Sequence, residues 1–247
     1  MTIREPETID LSTTRGAMRT LVFRPTGEGR HPGLVLWSEI FQITAPIRRT
    51  AAFLAGHGFV VAVPEVYHEF LPPGTVLAYD QAGADQGNEL KYAKELASYD
   101  DDARAVVAFL QAHPGGNGRV GAMGICLGGH LAFRTAMLPG VSATTCFYAT
   151  DLHQGTLGKG KADNSLARIP DIRGELMMIW GRQDPHVPGE GRAKIHAALT
   201  AANARFTWHE FNGAHAFLRD EGHRYDAELA HLTLGMAVGL FQRRLAG

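Results

Sequence analysis

Cysteine is scarce in this chain of 247 residues, with two in all, and neither their number nor their spacing suits a disulfide framework or a zinc knuckle. Net charge is scarce too. The balance of 24 basic and 25 acidic residues leaves a formal charge of -1, with the two signs interspersed, which gives no electrostatic footprint for nucleic acid or an anionic membrane. Long apolar runs are missing as well, since no segment approaches the roughly 20 residues that span a bilayer and Met1–Glu7 holds no signal core. These absences point to a cytoplasmic protein with a small-molecule substrate, as a monomer or small homo-oligomer. No pair of the 12 histidines has metal-ligand spacing with further Cys or carboxylate ligands, and no Gly-rich phosphate loop occurs, so neither metal nor cofactor is expected.

What is present is an alternation. Strand-like runs at 19–24, 33–37, 59–63, 119–123, 142–148, 175–180 and 205–211 are separated by segments with helical apolar spacing, such as Ile47, Ala51, Leu54 and Ala55. Residues 1–247 therefore read as a single α/β domain, a mostly parallel sheet with helices on both faces. One stretch, 67–97, is a long polar excursion containing Pro72-Pro73-Gly74, and connections of that length often serve as lids or rims. A shorter excursion, 153–173, is placed on the same rim.

The most informative motif is Gly124-Ile125-Cys126-Leu127-Gly128-Gly129, between a strand-like run and an apolar helical one. A Gly-x-nucleophile-x-Gly turn presents its central residue in strained geometry at a helix N-terminus, where free amides and the helix dipole favour a thiolate and an oxyanion. Cys126 is the candidate nucleophile; Cys146, within a strand-like run, reads as a buried structural thiol. Two later strand ends supply partners in the order nucleophile, acid, histidine. Asp184 follows the strand ending at Trp180, and His215 follows the strand ending at Phe211. His130 faces into the elbow helix, His209 alternates with core residues, and His186 stands beside Asp184 on the pocket wall. Glu39 and the amide of Ile40 follow the strand 33–37, and with the amide of Leu127 would give a two-donor oxyanion hole.

Together, Glu39-Ile40-Phe41, Gly124-x-Cys126-x-Gly128-Gly129, Asp184-x-x-Val187-Pro188 and Gly213-x-His215-x-Phe217 resemble the dienelactone hydrolase (carboxymethylenebutenolidase-like) family of the α/β-hydrolase superfamily. The resemblance implies that Cys126 attacks an ester or lactone carbonyl, His215 relays the proton, Asp184 holds the imidazole, and Glu39 accepts the thiol proton when substrate arrives. It also implies two arginines that clamp the substrate carboxylate. Arg219 matches one; the other has no counterpart, because 67–102 contains no arginine, which leaves Lys91 or Lys94 as point-charge substitutes. Where the family usually has glycine after Glu-Ile-Phe, this chain has Gln42, whose side chain is expected to narrow or polarise the pocket mouth. Two alternatives stay open from sequence: attack of the thiolate on a neutral phosphotriester, and a non-hydrolytic binding or redox-sensing role for a reactive cysteine.

Overall fold

The computed structural model describes residues 2–246. Two amino-terminal strands, β1 (Glu7–Thr13) and β2 (Gly16–Phe23), form an antiparallel hairpin closed by Thr14 and Arg15. Its turn ends on Gly16 at φ 115°, a backbone state that costs a residue without Cβ little. The strand β3 (His31–Trp37) leads through a loop into α1 (Ala45–Gly56), and β4 (Val60–Pro64) pairs between β2 and β3. Two helices follow, α2 (Gln81–Ala93) and α3 (Leu96–Ala112). Then come β5 (Gly116–Ile125), α4 (Leu127–Thr135), β6 (Val141–Phe147), β7 (Glu175–Gly181), α5 (Gly189–Ala201), β8 (Phe206–Phe211) and α6 (Ala227–Leu245).

The eight strands form one sheet in the order β1-β2-β4-β3-β5-β6-β7-β8, parallel from β4 to β8. Parallel strands covered on both faces read as continuous apolar runs, and Val60–Pro64 and Leu34–Trp37 are buried throughout. Period-two geometry shows how the faces divide. A Cβ on Gly33 would meet Leu110 of α3, whereas one on Gly121, which lies beside Leu34, would meet Leu245 of α6. Since Gly33 and Leu34 point to opposite faces, α3 and α6 cover opposite sides of the sheet. This is the mostly parallel sheet with helices on both faces that the alternation of elements predicts.

The strand order reverses in sequence between β3 and β5. At such a switch point the loops leaving adjacent strands diverge and open a crevice at their carboxyl ends. The loop after β3 carries Glu39 and Ile40, and the turn after β5 carries Cys126. Among the described residues no helix is long and apolar enough to cross a membrane.

Three readings of the sequence need correction. The hairpin strand β1 is not anticipated, because its alternating Ile9 and Leu11 are only half-buried among polar neighbours. The excursion 67–97 is not an irregular loop in its middle: it contains α2, which starts where Asp80 accepts a hydrogen bond from the Gly83 amide at 2.8 Å. The elbow helix begins at Leu127 rather than His130, since its first turn is the glycine pair of the motif.

Candidate active site

Cys126 occupies the position before the first residue of α4 with φ 61° and ψ −120°. This left-handed state is uncommon for a residue with a side chain and persists only where its surroundings hold it. The surroundings here are backbone. A Cβ on Gly124 would collide with the Gly128 carbonyl, one on Gly128 with the Trp37 carbonyl, and one on Gly129 would lie 2.6 Å from the Phe147 carbonyl. The glycines let strand, turn and helix approach closely enough to fix the thiol at the helix start. Neither the Leu127 nor the Ile40 amide donates to a protein acceptor among the described residues, so both remain free to donate.

His215 reaches this turn from the loop after β8, and its imidazole faces the same cleft as the Cys126 thiol, near enough for a charge on the sulfur to act on it. Its Nδ1 lies 2.7 Å from Asp184 Oδ2, and Asp184 Oδ1 accepts the backbone N–H of His186 at 2.8 Å. Burial disfavours charge on His215, but the Asp184 carboxylate bonded to it and negative charge on Cys126, when the sulfur carries it, outweigh burial and raise the imidazolium to about 10. Burial would raise Asp184; its bond to His215 overcomes this and holds it below the usual carboxylate range. Cys126, Asp184 and His215, separated by 58 and 31 positions in an order read from sequence, are thus brought together, with His215 bonded to Asp184 and facing the same cleft as Cys126.

Glu39 is 2% exposed and faces the same cleft. Burial pushes its carboxyl above the usual range, against the opposing pull of Arg219, of the Tyr79 hydroxyl and of His215. Tyr79, from the segment before α2, donates to Glu39 Oε2 at 2.8 Å, and the Arg219 guanidinium lies over the Tyr79 ring 4.1 Å from its centroid. The cleft has a volume of about 810 Å³. One wall is α2 with Lys91 and Tyr92, and the other is the loop after His215 with Arg219 and Arg224.

The two lysines that might replace the missing arginine differ. Lys94 is fully buried away from the cleft, ion-paired to Glu69 at 2.5 Å and to Asp102 at 2.9 Å, so it offers nothing to a substrate. Lys91 lines the cleft but is bonded to Asp151 at 2.8 Å, which neutralises it. Gln42 does not narrow the mouth either. It is fully buried at φ 69°, and its side-chain carbonyl accepts the Tyr67 amide at 3.1 Å. The backbone there adopts the left-handed state that favours glycine, and the glutamine side chain turns inward.

His186 does line the cleft, its ring 4.5 Å from that of His215, and burial followed by the His215 charge lowers its proton affinity. His130 is buried between Thr150 and Ser165, and the Cys146 thiol is pushed up by complete burial. Of the excursion 153–173, Gln154 alone lines the cleft. Sequence reasoning missed Tyr79, Tyr92, Asp151 and Arg224. For Asp151 a signal existed, since it stands just past the carboxyl end of β6; for Tyr79 none did, because only the packing of the excursion aims it inward. Among the described residues no three His, Cys, Asp or Glu side chains are grouped to hold a metal ion.

Residues 18–245 match the model of the dienelactone hydrolase family. A Saccharomyces cerevisiae protein provisionally named a carboxymethylenebutenolidase is 41% identical over 96% of this chain and 90% of its own length. A Pseudomonas putida carboxymethylenebutenolidase is 28% identical over 82% of this chain and 81% of its own. Among solved structures, a dienelactone hydrolase-like promiscuous phosphotriesterase from metagenomic libraries superposes with TM-score 0.80 at 19% identity, covering 100% of both chains.

Proposed function

Because the chain belongs to the dienelactone hydrolase family, a family of hydrolases acting on ester and lactone bonds, we propose that it cleaves such a bond through a thioacyl intermediate on Cys126. The observation that carries this reading is the His215–Asp184 pair, hydrogen-bonded at 2.7 Å, facing into one cleft with Cys126 on its strained strand-to-helix turn. In the proposed course the thiolate attacks the carbonyl carbon, and the carbonyl oxygen, now negative, takes hydrogen bonds from the amides of Ile40 and Leu127. The carbon–oxygen bond to the leaving group breaks as the His215 imidazolium donates its Nε2 proton to the departing alkoxide. Neutral His215 then takes a proton from water, whose hydroxide attacks the thioester; the Cys126 sulfur leaves as thiolate and the acid product departs. Asp184 holds the imidazole in the orientation both halves require.

Glu39 enters before attack, as the acceptor of the thiol proton. Its burial supports this role, because a carboxylate raised above its ordinary range is a stronger base; a sulfur that gives up its proton only on attack rests as a neutral thiol, less open to oxidation than a permanent thiolate. Arg219, at the cleft lip over Tyr79, is placed to meet a negatively charged substituent of the substrate.

Stopped-flow turnover of p-nitrophenyl acetate, with intact mass taken on the quenched sample, tests the reading. A burst of nitrophenol with a 42 Da acetyl increment on wild type, about the mass of one acetyl group replacing one proton, and neither in Cys126→Ala, is the expected result. A normal burst from Cys126→Ala would refute it. Running cis-dienelactone and an aryl phosphotriester on the same preparation then ranks the substrate classes.

A further inference from the structure

Thr44 stands at the N-cap of α1, where a threonine hydroxyl ordinarily accepts an amide hydrogen bond from the first helical turn. Here it makes no such bond. Its Oγ1 lies instead 2.6 Å from the Tyr79 hydroxyl, which is itself 2.8 Å from Glu39 Oε2. With Glu39 as carboxylate, the single Tyr79 proton is committed to it, so the tyrosine oxygen accepts and Thr44 donates. A helix cap has been given up in favour of a hydroxyl chain that ends on a cleft carboxylate. We propose that Thr44 and Tyr79 are positioning residues for the reaction, their hydroxyls forming a two-step relay that fixes the Glu39 carboxylate as a proton acceptor in the cleft it shares with Cys126.

The proposal rests on the reading of Glu39 as that acceptor. Three observations extend it to Tyr79 and Thr44. The Tyr79 ring is held independently of its hydroxyl, edge-on to Phe41 with centroids 4.8 Å apart and under the Arg219 guanidinium, so the hydroxyl is delivered to one place. Burial and then the Glu39 charge push the phenol above its ordinary range, so Tyr79 stays a neutral donor and takes no proton from the reaction itself. The Thr44 donation polarises the Tyr79 O–H and strengthens its bond to the carboxylate. The other charged or titratable groups near Glu39 are Arg219 and His215, which favour its charge, with the Tyr148 phenol and Cys126 close by.

The relay favours the carboxylate over the carboxylic acid. Losing one hydrogen bond to a charged group therefore moves the acid limb of kcat/KM upward by about one pH unit, roughly a tenfold loss of rate on that limb. The experiment is the pH profile of kcat/KM for p-nitrophenyl acetate in wild type, Tyr79→Phe, Thr44→Val, Thr44→Ser and Glu39→Gln, each checked for an unchanged circular dichroism spectrum and melting curve. Tyr79→Phe keeps the ring, its Arg219 contact and its packing on Phe41. We expect its acid limb to move up by about one unit, with Thr44→Val moving in the same direction by less, and Thr44→Ser restoring the wild-type position. Glu39→Gln should abolish the limb. If Glu39→Gln alters the profile while Tyr79→Phe and Thr44→Val leave the acid limb in place, the relay is refuted and the role of Glu39 stands. A wild-type profile from Glu39→Gln overturns the role of Glu39 and the relay with it.

Discussion

Gly87→Ala probes how the helical excursion supports the candidate oxyanion loop. Gly87 lies in α2, where alanine is intrinsically preferred to glycine by about 0.5–1 kcal/mol. Propensity alone therefore makes the substitution stabilising. Packing reverses the sign. A Cβ built on Gly87 lies 2.6 Å from the Ile40 carbonyl oxygen and 2.9 Å from the Ile40 Cβ, whereas ordinary contact begins at 3.4 Å, so helix and loop must part by roughly 0.8 Å. The Gly87 carbonyl also accepts the Tyr67 hydroxyl at 2.9 Å, which anchors the helix against recoil. Overpacking of this kind costs about 1–3 kcal/mol, enough to lower the melting temperature by a few degrees in a domain of this size. The loop that yields carries Glu39 and the Ile40 amide, and a displacement approaching 1 Å in a catalytic group costs up to about a hundredfold in rate. We expect kcat for p-nitrophenyl acetate to fall by roughly ten- to hundredfold, with the cysteine still titratable by a thiol reagent. Gly235→Ala is the control: its Cβ meets nothing within 4 Å in α6, so stability should rise slightly and kcat should not change. A Gly87→Ala enzyme with wild-type kcat and a raised melting temperature refutes the claim that α2 holds the loop in place.

Two further outcomes follow from charge. Lys94→Met leaves the buried Asp102 and the partly buried Glu69 carboxylates without their lysine, and urea denaturation should show a loss of about 3–5 kcal/mol; a loss below about 1 kcal/mol would show that the cluster, in which His68 also bonds Asp102, reorganises or hydrates freely. His215 keeps its proton up to about 10 in the folded state against an ordinary 6.5, so the folded protein binds more protons in between. That contribution to stability is complete below about 6.5 and is lost as pH rises through about 10, so unfolding free energy from this group falls with rising pH across the window. Asp184→Asn removes the carboxylate bonded to the imidazolium and should flatten this slope; parallel slopes in the two proteins contradict the ion-pair account.

Much of the frame was legible because its signals are local. The parallel strands are short apolar runs, and the elbow is legible because glycine at 124 and 128 is demanded by backbone contacts at fixed sequence offsets, so steric necessity is written into the sequence itself. Asp184 and His215 follow the same logic, since each stands just past the carboxyl end of a strand. What stayed hidden depends on packing between distant segments. The polar α2 has little apolar stripe, buries Gly83, Gly87 and Lys91, and owes its place to close approach at glycine rather than to a hydrophobic face. A pattern search weighted to apolar periodicity therefore passes over it.

The two lysines show the same limit in its functional form. Lys91 and Lys94 are three positions apart, near the end of α2, and nothing in their local sequence separates them. In the fold, Asp151 claims the first at the cleft and Glu69 with Asp102 claim the second in the interior. Neither is free to act as the second arm of a carboxylate clamp. The cations left facing the cleft from the other wall are Arg219 and Arg224, both on the loop that follows His215. Arg49 on α1 grips the next two residues of that loop, Asp220 at 2.5 Å and Glu221 at 3.1 Å, so Arg219 is carried by a tethered segment while its guanidinium rests on Tyr79. The positive charge of this cleft is therefore gathered on one lip, beside Glu39 and opposite a wall whose lysine is already neutralised. A substrate whose charge lies close to its scissile carbonyl suits this distribution better than one that must be held from both sides.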